Sequence, residues 1–243
     1  MNYVVLDLEF NQGFEVNHTD KNCPFEIIQI GAITLNDQLE EISSFNRLVK
    51  LQIYKEINPY VSSLTGLTVE KLNKEEPFEQ VFPLFLSYID DKDAVFCIWG
   101  MSDIKELFRN AQYYRLPISN IPKKYINLQP HVSKYLQFPK SICVGLRDAM
   151  NFLKIDHDND FHNAYYDALY TSKIFQKIAE PNIPILIYDP SVSPREPRPK
   201  TQQANMIKLV LQFEKMLNRK TTSEEQSIIR LAYLMGKTGQ FLE

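Results

Sequence analysis

The sequence predicts a mixed α/β fold, with a five-stranded sheet flanked by helices and a helical appendage after it. Three consecutive apolar, β-branched runs with short links lie within the first 49 residues, which predicts a three-strand antiparallel meander. After them, segments with helical spacing alternate with short apolar runs, the pattern of parallel strands joined by helices. The composition then changes near residue 181, where prolines become frequent.

The five predicted strands differ in how strongly the sequence indicates them. Turn-forming Asn36-Asp37 separates the second strand from the third. The fourth is a continuous apolar run, which predicts a buried strand, whereas the fifth is short and weaker. In chain order the predicted strands cover residues 3–10, 26–35, 42–49, 94–99 and 125–128.

Four helices are predicted between and after these strands. Pro77 opens the first, and apolar residues at helical spacing follow it. Ser102 or Asp103 is expected to cap the second helix. The last two lie near residues 144–153 and 163–178.

The sequence predicts a linker and a helical appendage at the end of the chain. Six of the fourteen prolines fall in residues 181–200, which predicts an extended Pro-rich linker or a tail packed along the domain. Residues 201–219 and 223–236 predict two helices, the first with an apolar stripe and the second with a capping box at its start. The predicted domain therefore covers residues 1–180. The appendage, residues 201–243, could bind substrate, form a homodimer or dock a protein partner.

Composition indicates a soluble globular protein, with 44% hydrophobic and 23% charged residues. No apolar run approaches the roughly 18 residues that a membrane span needs, and the N-terminus lacks the basic segment of a secretory signal. Cys23, Cys97 and Cys143 are odd in number and far apart, which predicts free thiols in a reducing compartment. We therefore expect a cytoplasmic location and no membrane partner.

The net charge is unevenly distributed along the chain. Residues 195–220 carry seven basic and two acidic side chains, a charge of +5, which leaves −8 on the rest of a chain whose net charge is −3. An acidic body argues against indiscriminate coating of nucleic acid. However, metal ions can neutralise an acidic site, and the basic segment could contact phosphates. A solvated basic linker explains that segment equally well.

Two pairs of residues and one further aspartate could carry chemistry. Asp7 and Glu9 lie two apart in the first strand, so their carboxylates point to one face of the sheet. At about 4 Å such carboxylates repel by roughly 4 kcal/mol for an effective dielectric of about 20, which favours a proton or a cation between them. A strand edge that faces water is the alternative.

Asp103 follows the fourth strand, at the end of the strand where α/β sheets bind ligands. The alternative is that Asp103 only caps the helix that follows.

His162 and Asp167 form the second pair. They lie five residues apart, so on one helix they would diverge by about 140°. They share a site only if His162 lies in the loop before the helix and Asp167 in its first turns. A surface histidine and an exposed helical aspartate are the alternative.

Together these residues resemble the three Exo motifs of the DnaQ-like exonuclease superfamily in its DEDDh form. DLEFN from Asp7 matches the first motif, D-x-E, and HNAYYDA from His162 fits the third, H-x4-D. WGMSD, which ends at Asp103, resembles the W-G-x-x-D motif of the enhanced-RNAi and KapD-like branch, although that branch often has an acid where Met101 stands. The sequence from Asn58-Pro59 to TGLT at residues 65–68 is similar to a stretch that flanks the terminal nucleotide in this family. The resemblance covers residues 1 to about 180.

The resemblance implies a ribonuclease H-like fold and a 3′→5′ exonuclease that uses two divalent ions, Mg²⁺ or Mn²⁺. Asp7 would bridge both ions, and Glu9 and Asp167 would bind the ion that holds the nucleophilic water. Asp103 would act through waters, and His162 would be the general base. The products would be nucleoside 5′-monophosphates from single-stranded ends, with RNA favoured over DNA.

The resemblance also implies a pocket for the terminal nucleotide. Phe10 and Leu67 are candidates for base contacts and Thr65 for a sugar contact, although Phe10 and Leu67 could equally be core residues.

Three other functions stay open. The first is a non-catalytic module that binds nucleic acid or a protein, and the second is an oligonucleotidase limited to very short chains. The third is an RNase H-type endonuclease, which the H-x4-D spacing disfavours.

Overall fold

The computed structural model describes six segments of the chain: residues 1–13, 20–139, 142–157, 161–178, 183–192 and 205–237. Within them a single mixed sheet has the strand order β3-β2-β1-β4-β5-β6. The first three strands form the expected antiparallel meander, and β4 and β5 run parallel to β1. The strands are β1 Tyr3–Gln12, β2 Phe25–Leu35, β3 Glu41–Leu48, β4 Val95–Ile98, β5 Lys124–Asn127 and β6 Leu186–Ile187.

The sheet has one strand more than the five that the sequence predicts. Leu186 and Ile187 pair antiparallel with β5, and the amide of Tyr188 donates a hydrogen bond to the carbonyl of Lys123 at 2.8 Å. Tyr188 also packs its ring 5.0 Å from that of Phe108. The sequence prediction missed β6 because a two-residue strand is too short for a periodic pattern and lies among the prolines of the predicted linker.

The helices cover both faces of the sheet. Those predicted from sequence are present, whereas α1, α2 and α5 were not predicted, because helices of seven, four and eight residues show little periodicity. The helices of the domain are α1 Pro59–Thr65, α2 Val69–Leu72, α3 Phe78–Ile89, α4 Ser102–Tyr113, α5 Leu128–Tyr135, α6 Leu146–Phe152 and α7 Ala164–Ile178.

Alternating residues of β1 separate two hydrophobic cores. Val4, Leu6 and Leu8 pack with residues of α3 and α4 on one face. Val5 points to the other face, where residues of α5, α6 and α7 cover it. Asp7 and Glu9 therefore continue the row of Val5, toward α7.

Two further helices, α8 Met206–Leu217 and α9 Ser223–Lys237, lie in the described part of the predicted appendage. The carboxylate of Glu214 on α8 accepts a hydrogen bond from the amide of Thr221 at 3.1 Å, which joins α8 to the loop before α9. The hydroxyl of Ser227 on α9 donates to Asp148 on α6 at 2.6 Å, so the appendage contacts the sheet domain. The three cysteines are free thiols, as expected. No described helix is long and apolar enough to cross a membrane.

Candidate active site

The site forms where β1 extends beyond its neighbour β4. Pairing of β1 with β4 ends with Leu6 opposite Ile98. Asp7 and Glu9 therefore lie on the part of β1 that pairs with β2 but no longer with β4. Both carboxylates are half-buried and on one face, as their spacing predicts. The β1–β2 register shifts between Glu9 and Phe10, and such a bulge changes the direction of the side chains beside it.

Asp103 occupies the place beside β1 that β4 leaves open. Its Oδ1 accepts a buried hydrogen bond from the amide of Leu8 at 3.1 Å. Helix α4 begins at Ser102, and its N-cap is Met101, which makes no side-chain cap bond. The expectation that Ser102 or Asp103 caps this helix is therefore wrong. Asp103 lies in the first turn of α4, and its carboxylate satisfies the strand amide of Leu8.

A glycine turn brings Asp103 to this position. β4 ends at Ile98, and Gly100 follows with a φ of 96°, a conformation that glycine adopts without a steric penalty. The amide of Gly100 donates to the side-chain oxygen of Asn127 at 3.1 Å, which fixes the turn to the end of β5. The chain can then reverse into α4 within three residues.

His162 and Asp167 lie close together because His162 precedes α7, in the loop where the sequence analysis required it. The amide of His162 donates to Oδ2 of Asp167 at 3.1 Å, and the φ of His162 is 72°. One potential ligand atom from each of Glu9, His162 and Asp167 lies within 4.8 Å of the other two. The structure thus gathers residues from β1 and from the start of α7.

A buried glutamine holds the loop that carries His162. Gln29 on β2 is 3% exposed, and its Oε1 accepts a hydrogen bond from the amide of Ala164 at 3.2 Å. Its Nε2 donates to Oδ1 of Asn163 at 3.2 Å and to Oδ1 of Asn46 at 2.9 Å. Gln29 therefore connects β2 to the residues on the C-terminal side of His162. The sequence offers no signal for this role, because the partners are 134 and 135 residues away.

Burial raises the pKa of each carboxyl group in the site, and repulsion by neighbouring carboxylates adds to it at Asp7, Glu9 and Asp103. Burial raises the pKa of Glu9 to about 8, and the charges of Asp167 and Asp103 add to the effect. Burial likewise raises the pKa of Asp103 to about 7 and that of Asp167 to about 6. The pKa of Asp7 lies well above its ordinary value because of burial and the three neighbouring acids. Such a cluster takes up protons or a cation near neutral pH.

The pKa of His162 shifts in the opposite direction to the pKa values of the four acids. It is more exposed than the four carboxylates. Partial burial, and then the charge of Arg147, lower the pKa of His162. Its imidazole is therefore neutral at neutral pH and able to accept a proton.

The donor set fits a divalent cation. Oδ1 of Asp167 is buried and has no hydrogen-bond partner among the described residues, although buried carboxylate oxygens are ordinarily paired. Carboxylate oxygens are the ligands that Mg²⁺ and Mn²⁺ prefer. A cation held by Glu9 and Asp167 would satisfy this oxygen and relieve the repulsion that raises the pKa values.

A cleft of about 400 Å³ opens beside His162. Thr65, expected to contact a sugar, lies in its wall. Leu64 and Tyr166 also line it, and nothing in the sequence distinguishes them from core residues. The full lining is Ser63, Leu64, Thr65, Gly66, Phe161, His162, Asn163 and Tyr166.

The structure places Phe10 and Leu67, the two candidates for base contacts, in core packing, the alternative given with them. Leu67 is 4% exposed and packs in a small core with Val61 and Leu72. Phe10 packs against the core between β1 and α4, with its ring 6.2 Å from that of Phe25. Neither side chain is among the residues that line the cleft.

The TGLT sequence also has a local explanation. Gly66 ends α1 in a left-handed conformation, with a φ of 67°. Thr68 begins α2, and its hydroxyl accepts a hydrogen bond from the amide of Lys71 at 3.3 Å. The turn therefore closes one helix and opens the next, and it presents Thr65 to the cleft.

Asn11 ties this turn region to the first motif. Its Oδ1 accepts a hydrogen bond from the amide of Asn58 at 2.8 Å, and its Nδ2 donates to the carbonyl of Glu56 at 3.0 Å. Asn58 in turn caps α1 through the amide of Tyr60 at 3.0 Å. The fully buried Asn11 thus holds α1 at the end of β1 that carries Asp7 and Glu9.

Two solved structures illustrate the similarity in fold. The nuclease domain of 3′hExo, a DEDDh family member bound to rAMP, has a TM-score of 0.64 at 21% identity, over 77% of this chain and 96% of that one. S. pombe Pop2p in its Mg²⁺- and Mn²⁺-bound form has a TM-score of 0.55 at 17% identity, over 72% and 82% of the two chains. These likenesses confirm the expected ribonuclease H-like fold.

Sequence relatives carry exonuclease names. The rat 3′-5′ exoribonuclease 1 is 25% identical over 159 residues, which are 61% of this chain and 45% of the rat protein. The human ERI1 exoribonuclease 3 is 25% identical over 187 residues, 73% of this chain and 53% of the human protein. The chain thus spans about half the length of these curated relatives.

The exonuclease family model, RNase_T, matches residues 4–175. This range contains the four acids and His162 that the sequence analysis selected. Because the match covers most of the chain, and the sheet, the acid cluster and the cleft all lie within it, this protein belongs to the exonuclease family.

Proposed function

We propose that this protein is a 3′→5′ exonuclease that releases nucleoside 5′-monophosphates from single-stranded ends, with RNA preferred over DNA. The observation that carries the proposal is the approach of Glu9, His162 and Asp167 to within 4.8 Å of one another, beside a cleft of about 400 Å³. A cleft of this size is in the range that encloses small ligands. The relatives named exoribonucleases support the choice of RNA.

The four acids would hold two divalent cations, Mg²⁺ or Mn²⁺. Glu9 and Asp167 would share one, and Asp7 would contact both. Asp103 has one oxygen engaged with the amide of Leu8, so we assign it an indirect role through water. When bound, the cations supply Lewis acidity that lowers the pKa of a water and stabilises charge on the leaving oxygen.

His162 would act as the general base. Its neutral imidazole lies at the wall of the cleft and takes the proton from the attacking water. The hydrogen bond from its amide to Asp167 and the contacts of Gln29 on the next two residues hold the backbone that carries the ring. Thr65 faces the same cleft, where an unstacked terminal nucleotide would lie.

A degradation assay tests this function. Single-stranded RNA and DNA of equal sequence, labelled at the 5′ end, are incubated with Mg²⁺ or Mn²⁺. We expect a ladder that shortens from the 3′ end, faster on RNA. Asp7→Ala should abolish it, and His162→Ala should slow it by about 10²- to 10⁴-fold.

Asp93→Ala is the matched control, because Asp93 is exposed and pairs with Lys124 at 2.7 Å, at the opposite end of β4 from the site. Cleavage that survives Asp7→Ala would contradict the mechanism. Shortening of very short chains alone would indicate an oligonucleotidase, and binding without cleavage would indicate a non-catalytic module.

A further inference from the structure

We propose that Arg147 is a substrate-binding residue that holds a backbone phosphate on the 5′ side of the scissile bond. The inference rests on the proposed exonuclease function, because a strand carries such a phosphate and a free nucleotide does not. Arg147 lies in the first turn of α6, outside the three sequence motifs. Arg147 is a candidate for substrate binding because the fold places it near the site.

The guanidinium of Arg147 is held beside the cleft by stacking. Its central carbon lies 4.6 Å from the centroid of the Phe161 ring, and Phe161 lines the cleft next to His162. The Phe161 ring is itself fixed, because the rings of His157 and Tyr170 lie 5.0 and 5.1 Å from it. A stacked guanidinium keeps the N–H donors along its edge available for a ligand.

The charge of Arg147 acts on the site itself. It lowers the pKa of both His162 and Asp167. The other side-chain charges that shift the pKa values of the site's four carboxyl groups, within the described residues, are carboxylates. A polyanionic strand that approaches four acids gains from a positive group at this distance.

Arg147 is also available to a ligand. Its side chain is exposed, and none of the ion pairs between described residues includes it. The neighbouring Asp148 accepts a hydrogen bond from the hydroxyl of Ser227 at 2.6 Å. A guanidinium oriented by stacking is suited to bind phosphate through two parallel hydrogen bonds.

The position of Arg147 indicates which phosphate it binds. The scissile phosphate must lie against Glu9 and Asp167, and the terminal nucleoside would fill the cleft beside Thr65. Arg147 is not among the residues that line the cleft but stacks on Phe161, which is. A phosphate that it reaches therefore belongs to the part of the strand that leaves the cleft.

The experiment compares two substrates that differ in this phosphate. One is 5′-labelled single-stranded RNA. The other is the p-nitrophenyl ester of thymidine 5′-monophosphate, which has a scissile phosphate but no strand beyond it. Arg147→Ala should raise the KM for RNA about ten- to a hundred-fold, the effect of losing a charge-assisted hydrogen bond, and leave the KM for the ester unchanged. It should also reduce the slope of log kcat/KM against log salt by about 0.7.

Two further variants complete the design. Arg147→Lys should keep the salt slope but bind RNA less tightly than the wild type, because lysine keeps the charge and lacks the planar fork. Arg115→Ala removes another exposed arginine, in the turn after α4 and away from the site, and should match the wild type. An unchanged KM for the ester shows at the same time that each variant is folded.

The possible outcomes distinguish a failure of the inference about Arg147 from a failure of the proposed function. If Arg147→Ala loses ester and RNA hydrolysis equally, Arg147 acts at the scissile phosphate or on the fold, and the inference is overturned. If Arg147→Ala shortens RNA with the wild-type KM, the inference about Arg147 fails and the proposed function stands. If the wild type hydrolyses the ester and leaves RNA intact, the proposed function itself fails.

Discussion

Gly31 on β2 lies directly against Ala164, the first residue of α7. A Cβ atom placed on Gly31 would be 2.1 Å from the carbonyl carbon of Ala164, a distance that real Cβ atoms do not tolerate against backbone. Gly31 is also the residue opposite Asp7 in the β1–β2 pair. A single glycine therefore sets how closely the helix that carries Asp167 approaches the strand that carries Asp7.

Gly31→Ala should displace α7 from the sheet. We expect a loss of about 1–3 kcal/mol in the free energy of unfolding, because the contact is with backbone that cannot rotate away, and a loss of nuclease activity. Urea unfolding and the RNA ladder measure the two effects. Gly236→Ala on α9, where a Cβ meets nothing within 4 Å, should leave both unchanged or raise stability slightly. Wild-type activity in Gly31→Ala would show that the close approach is not needed.

Gln29→Leu should disorganise the loop that holds His162. The amide of Ala164 and the side chain of Asn163 lose their partner, and a buried unsatisfied amide costs about 1–3 kcal/mol. Partners that orient catalytic groups are typically worth about 10- to 100-fold in activity, so we expect a fall of that size in kcat. The matched control is Gln176→Leu, whose exposed amide donates to the carbonyl of Leu39. An equal effect of both changes would contradict the role of Gln29.

Asp103 allows its structural and chemical roles to be separated. In Asp103→Asn the side-chain oxygen still accepts the hydrogen bond from Leu8, so the fold should be kept, and the metal-free protein should gain stability because one acid leaves the cluster. Activity should nevertheless fall. Asp103→Leu leaves the amide of Leu8 unpaired and should cost about 1–3 kcal/mol of stability as well. Thermal unfolding in EDTA, measured beside the RNA assay, distinguishes the two variants, and equal stability would refute the role of the hydrogen bond.

The stability of the metal-free protein should decrease as pH rises. The pKa values of Glu9, Asp103 and Asp167, about 8, 7 and 6, exceed the ordinary values near 4, so the folded state binds more protons than the unfolded state between about pH 4 and pH 8. The free energy of unfolding then decreases with pH across this window. We expect a lower Tm at pH 8 than at pH 5 in EDTA.

Mg²⁺ or Mn²⁺ should reverse this loss at pH 8. A cation that binds only the folded state adds about 2.7 kcal/mol at a hundred times its Kd. Glu9→Gln is the control, because it removes one of the raised carboxyls and should show a smaller pH effect and a smaller gain with metal. A Tm that is equal at the two pH values, or unaffected by metal, would argue against a cation site formed by these acids.

Much of the fold followed from local patterns. The apolar runs of β1, β2 and β4 and the periodicity of α3, α4 and α7 appear in consecutive residues, so they are visible without any tertiary contact. The D-x-E and H-x4-D spacings likewise selected Asp7, Glu9, His162 and Asp167, which lie together in the fold. The short helices α1, α2 and α5 and the two-residue β6 were not predicted, because their formation depends on packing more than on periodicity.

The sequence by itself selected the four acids and His162 as candidates, because the spacing within each motif is a property of neighbouring residues. Only the tertiary structure decided how they are held. Asp103 bonds to an amide 95 residues away, Gln29 reaches the loop 134 and 135 residues away, and Arg147 stacks on Phe161 in the loop before α7. It also decided that Leu67 is buried in the core and that Tyr166 lines the cleft. Such contacts depend on how distant segments pack together, and no pattern of neighbouring residues specifies that packing.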